Sequence, residues 1–460
     1  MVLETESLKI LKHALTKLEE SFSELPGFEQ RPDLEKIEDV LLEVAQRMQN
    51  NYPYPHPLYA GQMLKPPHPV ARLAYMLSLF INPNNHALDG GRESSEMEKE
   101  AVAQIASMLG FKSHIGHLCA GGTMANLEAL WAAGKLNSGK LTVASEQAHY
   151  THGRISEVLK LPFKAVATDE KGRMDIAALE TILQEEEVGT VVATTGTTAT
   201  GSVDPLNKIV ELKKKYGFHL HVDAAYGGYF RLIENLETDA LEAFTAIEQA
   251  DSVVIDPHKH GLQPYGCGCV IFKDPAVGAL YKHDSPYTYF SSDALHLGEI
   301  SLECSRPGSS AVALWATQRL LPLKKDGEFA ADLSKSKEAA RILASKIKND
   351  PRFVLPLEPE LDIVVFALKA DKASHSSRLA KLAFEKAAEK GLHLALATIP
   401  KELFGAKAKV MEWDEDKVSC LRSCLMKAEH LDWLEKIWAE LDSAVIEAVS
   451  MDKTGVPSGK

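Results

Sequence analysis

No stretch of this chain approaches the roughly 20 consecutive apolar residues that a bilayer-spanning helix requires, so no membrane partner is expected. Positive charge is also scarce. Lys and Arg number 51 against 64 Asp and Glu, a formal net charge of -13. That balance argues against sequence-independent nucleic-acid binding, which depends on clustered cations facing phosphates. Local pockets can still take anions. Cysteine is sparse and scattered, at Cys119, Cys267, Cys269, Cys304, Cys420 and Cys424, with no paired CxxC sets. Neither a disulfide framework nor a structural zinc site follows, and a reducing, cytoplasmic setting fits best. The N-terminal run MVLETESLKILKHALTKLEESF has no uninterrupted apolar core, so it does not read as a secretory signal.

What the chain does have is length and a regular alternation of elements. Its 460 residues exceed a typical single domain, and 45% hydrophobic with 25% charged residues is an ordinary soluble, globular composition. Residues 1–70 read as one or two amphipathic helices followed by the proline-rich NYPYPHPLYAGQMLKPPHP, an arm that must lie against something else. Over 71–325 the apolar runs LTVASEQAH, VGTVVATTG, FHLHVDAAYGG, DSVVIDPHK and CGCVIFKD alternate with helical stretches. Near-continuous apolar strands of this kind predict an α/β domain with a buried, mainly parallel sheet. A long helical stretch is expected over roughly 308–350. Residues 326–460 then change pattern and predict a smaller α+β domain.

Three features carry chemistry. Gly121, Gly122 and Thr123 open the helical run ANLEALWAAGKL, and a helix N-terminus behind glycines can cradle a phosphate. The same residues also make a plain turn and cap, and the P-loop lysine and the third glycine of the dinucleotide fingerprint are missing. The threonine-rich TTGTT, ending at Thr198, lies at a strand end, where α/β sheets place ligand contacts or simply cap helices. In DPHKH, Lys259 follows a buried strand, where desolvation favours Schiff-base chemistry, although most turn lysines face water. A fourth stretch, HLHVDAAYGG, is ambiguous. Period two puts His219, His221 and Asp223 on one face, either as metal ligands of a hydrolase or as the wall of an organic cofactor site. A phosphate cradle, a buried acid and a strand-end lysine in one chain are what a pyridoxal phosphate enzyme requires.

Through HVDAAYGG and DPHK, with Asp223 and Lys259 standing 36 positions apart, the chain resembles the pyridoxal-phosphate-dependent group II amino acid decarboxylases. The resemblance extends through GQM, INPN, ESSEMEKEAV and LRSCLM. It implies a fold type I, aspartate aminotransferase-like architecture and a homodimer with shared active sites. It also implies that Lys259 carries pyridoxal 5'-phosphate covalently, that Asp223 pairs with the pyridine nitrogen, that His149 stacks on the ring and that Ala225 supports its other face. Gly121, Gly122, Thr123, Thr198 and His258 fall at cofactor positions, Ser309 and Ser310 reach a neighbouring active site, and Arg422 matches a substrate-carboxylate position. Tyr287, with Tyr289 close by, matches a proton-donating loop tyrosine. The activity implied is decarboxylation of an L-amino acid, with aromatic substrates such as tyrosine favoured. The alternatives are aldehyde synthase, transaminase or carbon–carbon lyase chemistry, or an acidic substrate. Outside the resemblance stands the metal hydrolase built on His219, His221 and Asp223.

Overall fold

The computed structural model describes residues 5–27, 32–86, 90–281 and 300–454. Seven strands form the larger sheet: β1 (Ile115–Cys119), β2 (Leu141–Ser145), β3 (Phe163–Val166), β4 (Val188–Thr194), β5 (His219–Asp223), β6 (Ser252–Ile255) and β7 (Gly268–Phe272). Their order is β1-β7-β6-β5-β4-β2-β3. The strands from β2 to β6 pair in parallel, while β7 runs antiparallel to both β1 and β6. The expected mainly parallel sheet is present, and CGCVIFKD is its one reversed member. A hydrophobic run has no direction of its own, so the reversal had to come from the tertiary structure.

Alternation along the buried strands supplies two different faces. Val191, Ala193, Leu220, Val222, Val253 and Ile255 enter the main core. On the other face lies the helix Gly122–Leu136, rich in Ala and Leu and therefore a good helix former. Its Ala125, Ala129 and Ala132 are small and pack with Val254 and Val270. The short side chains let the helix lie close over β5, where it meets the polar row of His219, His221 and Asp223.

Four further strands, β8 (Phe353–Val354), β9 (Ile363–Leu368), β10 (Ala395–Pro400) and β11 (Lys417–Cys424), form an antiparallel sheet in the order β10-β11-β9-β8. Helices Glu328–Asn349, Ala373–Glu389 and Leu434–Thr454 contribute to its separate apolar core. The helical stretch expected over 308–350 is two helices, Gly308–Leu320 and Glu328–Asn349. Pro322 and Gly327 lie in the break between them, consistent with their weak helix propensity.

The proline-rich arm lies on this smaller sheet. Tyr59 bridges to His393, Ala60 donates its N–H to the His393 carbonyl, and Cys424 donates to the Ala60 carbonyl. Before it come two helices, Thr5–Glu20 and Leu34–Met48, the second of which has no buried residue.

The ends of the central strands are level: Thr194 pairs with Asp223, and Asp223 with Val254. The loops beyond them also meet. A Cβ placed on Gly227 would lie 2.0 Å from the Thr195 carbonyl oxygen. Backbone cannot yield as a flexible side chain would, so Gly227→Ala is expected to lower unfolding free energy by about 3 kcal/mol, the upper range for overpacking. Urea denaturation measures this directly; a loss below about 0.5 kcal/mol would show that the contact relaxes freely.

Candidate active site

A cavity of about 490 Å³ opens at the carboxyl ends of β4, β5 and β6. Gly121, Gly122, Thr123, His149 and Thr198 border it, as do Asp223, Ala225, His258 and Lys259. These are residues singled out from five separate sequence stretches, brought to one place. A larger groove of about 860 Å³ contains none of them and is lined by charged residues such as the paired Arg173 and Glu360.

Asp223 is a buried acid of the site, 5% exposed. One oxygen lies 2.8 Å from His152 Nε2 and accepts from Asn126 Nδ2 at 3.3 Å, while the other accepts the Ala225 N–H at 3.1 Å. Burial by itself would raise its pKa. The hydrogen bond and charge of His152, together with the Lys259 charge, outweigh burial and hold the carboxyl well below the ordinary range. A second tier supports these partners. His221 Nε2 meets Asn126 Oδ1 at 2.8 Å, and His221 Nδ1 and His219 Nε2 each meet Ser252 Oγ at 2.9 Å. The two histidines are thus engaged in hydrogen bonds. Among the described residues no group of three His, Cys, Asp or Glu is placed to hold a metal.

At the other side of the cavity Lys259 Nζ lies 3.1 Å from Asp256 Oδ2. His258 Nδ1 donates to the Cys267 carbonyl at 2.8 Å, and its ring packs beside Tyr265. Gly121, at φ 155°, precedes the helix Gly122–Leu136, which has no side-chain cap among the described residues, so first-turn N–H groups are available to a ligand. His149 Nδ1 is 2.8 Å from Thr151 Oγ1, which orients the imidazole at the cavity wall.

Three expected residues stand elsewhere in this chain. Arg422 does not border the cavity; its guanidinium donates to the Ala199 carbonyl at 3.1 Å and the Thr198 carbonyl at 2.7 Å, holding the threonine-rich loop. Ser309 and Ser310 are buried at the start of helix Gly308–Leu320, and Ser310 Oγ donates to the Gly266 carbonyl at 3.2 Å. Tyr287 and Tyr289 lie outside the described residues.

With this geometry in place, comparison with known proteins gives a family. The pyridoxal-dependent decarboxylase conserved domain matches residues 29–369. The chain belongs to this family. It is 30% identical to the L-tyrosine decarboxylase of Enterococcus faecium, over 66% of this chain and 66% of that protein, just under two thirds of the relative's length. It is 29% identical to a probable L-tyrosine/L-aspartate decarboxylase of Methanothrix thermoacetophila, covering 81% of this chain and 91% of the relative. The structure of Oryza sativa TDC with PLP and tryptamine shares the fold, with a TM-score of 0.77 at 16% identity over 97% of this chain and 99% of that one.

The cavity fits the cofactor of the decarboxylase family. An uncapped helix N-terminus suits a phosphate, a buried ionised carboxylate suits a pyridinium nitrogen, and a lysine amine stands within the same space. His152, Asn126 and Asp256 were not assigned roles from sequence. The paired histidines of AHYTHG were the available signal for His152.

The His219–Ser252–His221 tier has a measurable signature. Burial pushes His219 down to about 4 and His221 down to about 3. Both stay neutral in the folded chain, whereas unfolded histidine titrates near 6.5. Their contribution to stability is therefore full above about pH 6.5 and is lost as pH falls toward the folded values, at about 1.4 kcal/mol per pH unit for each. His221→Gln is expected to flatten the stability-versus-pH slope between about pH 6 and about 4 by roughly that amount. Denaturant melts across the range report it, and an unchanged slope would contradict the neutral assignment.

Proposed function

We propose that the protein is a pyridoxal 5'-phosphate-dependent carboxy-lyase that converts an L-amino acid to its amine and carbon dioxide. The observation that carries this reading is the Asp223 carboxylate, kept ionised in a buried cavity that also holds Lys259 and an uncapped helix N-terminus. Bound cofactor supplies a protonated ring able to take up the electron pair left by the departing carboxyl group. Asp223 holds the proton on the ring nitrogen, and His152 and Asn126 keep that carboxylate fixed. The first-turn N–H groups of Gly121–Thr123, with Thr198, hold the phosphate. His149 and Ala225 confine the ring from two sides. His258 orients the turn that carries Lys259, whose amine binds the cofactor and exchanges protons with the substrate amine. In this reading residues 71–325 form the cofactor domain, 326–460 the smaller one and 1–70 an arm. Tyr287, with Tyr289 beside it, is the proton donor assigned by resemblance, and Arg422 acts through the loop it holds.

A neutral aromatic side chain is favoured over an acidic one. Lys259 is the single Lys or Arg among the described cavity-lining residues, and Met124, Leu127 and Tyr265 add apolar surface. An acidic substrate needs a second cation. The related L-tyrosine and L-aspartate decarboxylases leave both classes open to assay.

A homodimer with shared sites is supported by helix Leu34–Met48, which exposes Leu34, Ile37, Val40, Leu41, Leu42, Val44 and Met48. So much unpartnered apolar surface marks an interaction face. Ser309 and Ser310 would then serve a partner's cavity. The six unbridged cysteines support a cytoplasmic setting. Sedimentation is expected to give twice the chain mass of 50.4 kDa; a monomer at micromolar concentration would rule out the shared-site arrangement.

The decisive assay supplies pyridoxal phosphate and a panel of L-amino acids and measures amine, carbon dioxide and aldehyde separately. Tyrosine should be turned over faster than aspartate or glutamate, with amine and no aldehyde. Lys259→Ala should lose both the visible cofactor band and activity, and Asp223→Asn should lower kcat roughly 10²–10³-fold, the scale of one lost preorganised contact. Faster turnover of aspartate would reverse the substrate assignment alone; a visible band unaltered in Lys259→Ala would reject the role of Lys259, and no visible band in wild type would reject the cofactor assignment.

A further inference from the structure

Asp256 has no role in the reading above, yet it is the most confined charge beside Lys259. It follows β6, is 2% exposed, and its buried Oδ1 has no hydrogen-bond partner among the described residues. Buried carboxylate oxygens are normally satisfied, so a bare one requires an explanation. Its Oδ2 lies 3.1 Å from Lys259 Nζ and 3.5 Å from His258 Nε2. The same oxygen presses on the start of helix Gly122–Leu136, since a Cβ on Gly122 would stand 2.8 Å from it. Asp256 therefore flanks the helix terminus that the proposed function gives to the phosphate.

His258 constrains where a proton can go. Its Nδ1 donates to the Cys267 carbonyl, which leaves the Nε2 lone pair turned toward Asp256. Two acceptors in that relation need a proton between them or a cation beside them, and Lys259 is the cation at hand. Asp223, ionised and lining the same cavity, is the other charge; the remaining groups around Asp256 are uncharged near neutral pH. Burial pushes His258 and His149 down. It pushes Tyr229, Tyr265 and the thiols of Cys267 and Cys269 up.

We propose that Asp256 makes cofactor binding proton-coupled: arrival of a phosphate dianion at Gly121–Thr123 brings one proton from solvent onto the Asp256–His258 pair. The inference rests on the phosphate position in the proposed function. Two anions at one buried helix terminus repel, and protonation removes one of them. The sign follows from linkage: the complex holds one more proton than its separated components, so affinity weakens about tenfold for each unit rise in pH.

Pyridoxamine 5'-phosphate is the probe, because it lacks the aldehyde that would bond to Lys259. Calorimetric titration of the full-length apoprotein near pH 8, above the second phosphate pKa of roughly 6, in buffers of different ionisation heat counts the protons taken up. Wild type should take up about one proton more with pyridoxamine 5'-phosphate than with pyridoxamine, which reports the ring nitrogen at Asp223 alone, and in Asp256→Asn that difference should vanish and the Kd should depend less steeply on pH. No uptake by wild type, equal uptake by Asp256→Asn, or equal uptake with pyridoxamine would each overturn the proposal. The wild-type comparison of the two probes stands even if the variant folds poorly. Failure of wild type to bind the phosphorylated probe would overturn the phosphate position itself, an outcome distinct from binding without proton uptake.

Discussion

A carboxylate removed from water must be compensated by hydrogen bonds and opposite charge, and Asp223 is the point at which this chain meets that demand. Its compensation is spread over several elements. His152 comes from helix Thr151–Val158, Asn126 from helix Gly122–Leu136, and the Ala225 N–H from the turn after β5. Since His221 engages Asn126 and Ser252 engages His221, β6 is drawn into the same arrangement. The alanine-lined underside of the helix follows from this, because a bulkier face would lift Asn126 away from β5. Packing and electrostatics are here one constraint.

The smaller sheet contributes to the same end from a distance. Asp362, immediately before β9, accepts from Tyr226 Oη at 2.6 Å and lies 3.2 Å from His260 Nε2. Tyr226 adjoins Ala225, and His260 adjoins Lys259. One buried acid thus ties both walls of the cavity to the second core, while Arg422 on β11 holds the threonine-rich loop. Charge pairs shut off from water hold such geometry because removing one partner leaves the other uncompensated.

Much of this was legible because it is local. Period two in HLHVD placed His219, His221 and Asp223 on one face, and the apolar runs located β2, β4, β5 and β6. Lys259 was legible as a lysine at a strand end. What escaped depends on separations no short pattern records: His152 is 71 positions from Asp223 and Asn126 is 97. Strand polarity escaped for a related reason, since CGCVIFKD reads alike in either direction. Arg422 was read for its charge, but its nearest partners are carbonyls more than 220 positions away. The division of the stretch over 308–350 into two helices was missed, although the proline and glycine of LPLKKDG carried its signal.

The reversed strand β7 has a consequence for how such a protein can diverge. Running against its neighbours, it brings Gly268 under the turn before helix Gly122–Leu136 so closely that a Cβ there would lie 2.5 Å from the Gly121 Cα. This part of the cavity floor is main chain resting on main chain, with no side chain between. Mutation acts through side chains, so the floor offers selection almost nothing to vary. Change at this end of the cavity must therefore act through lining side chains such as Tyr265, which is exposed and packs beside His258.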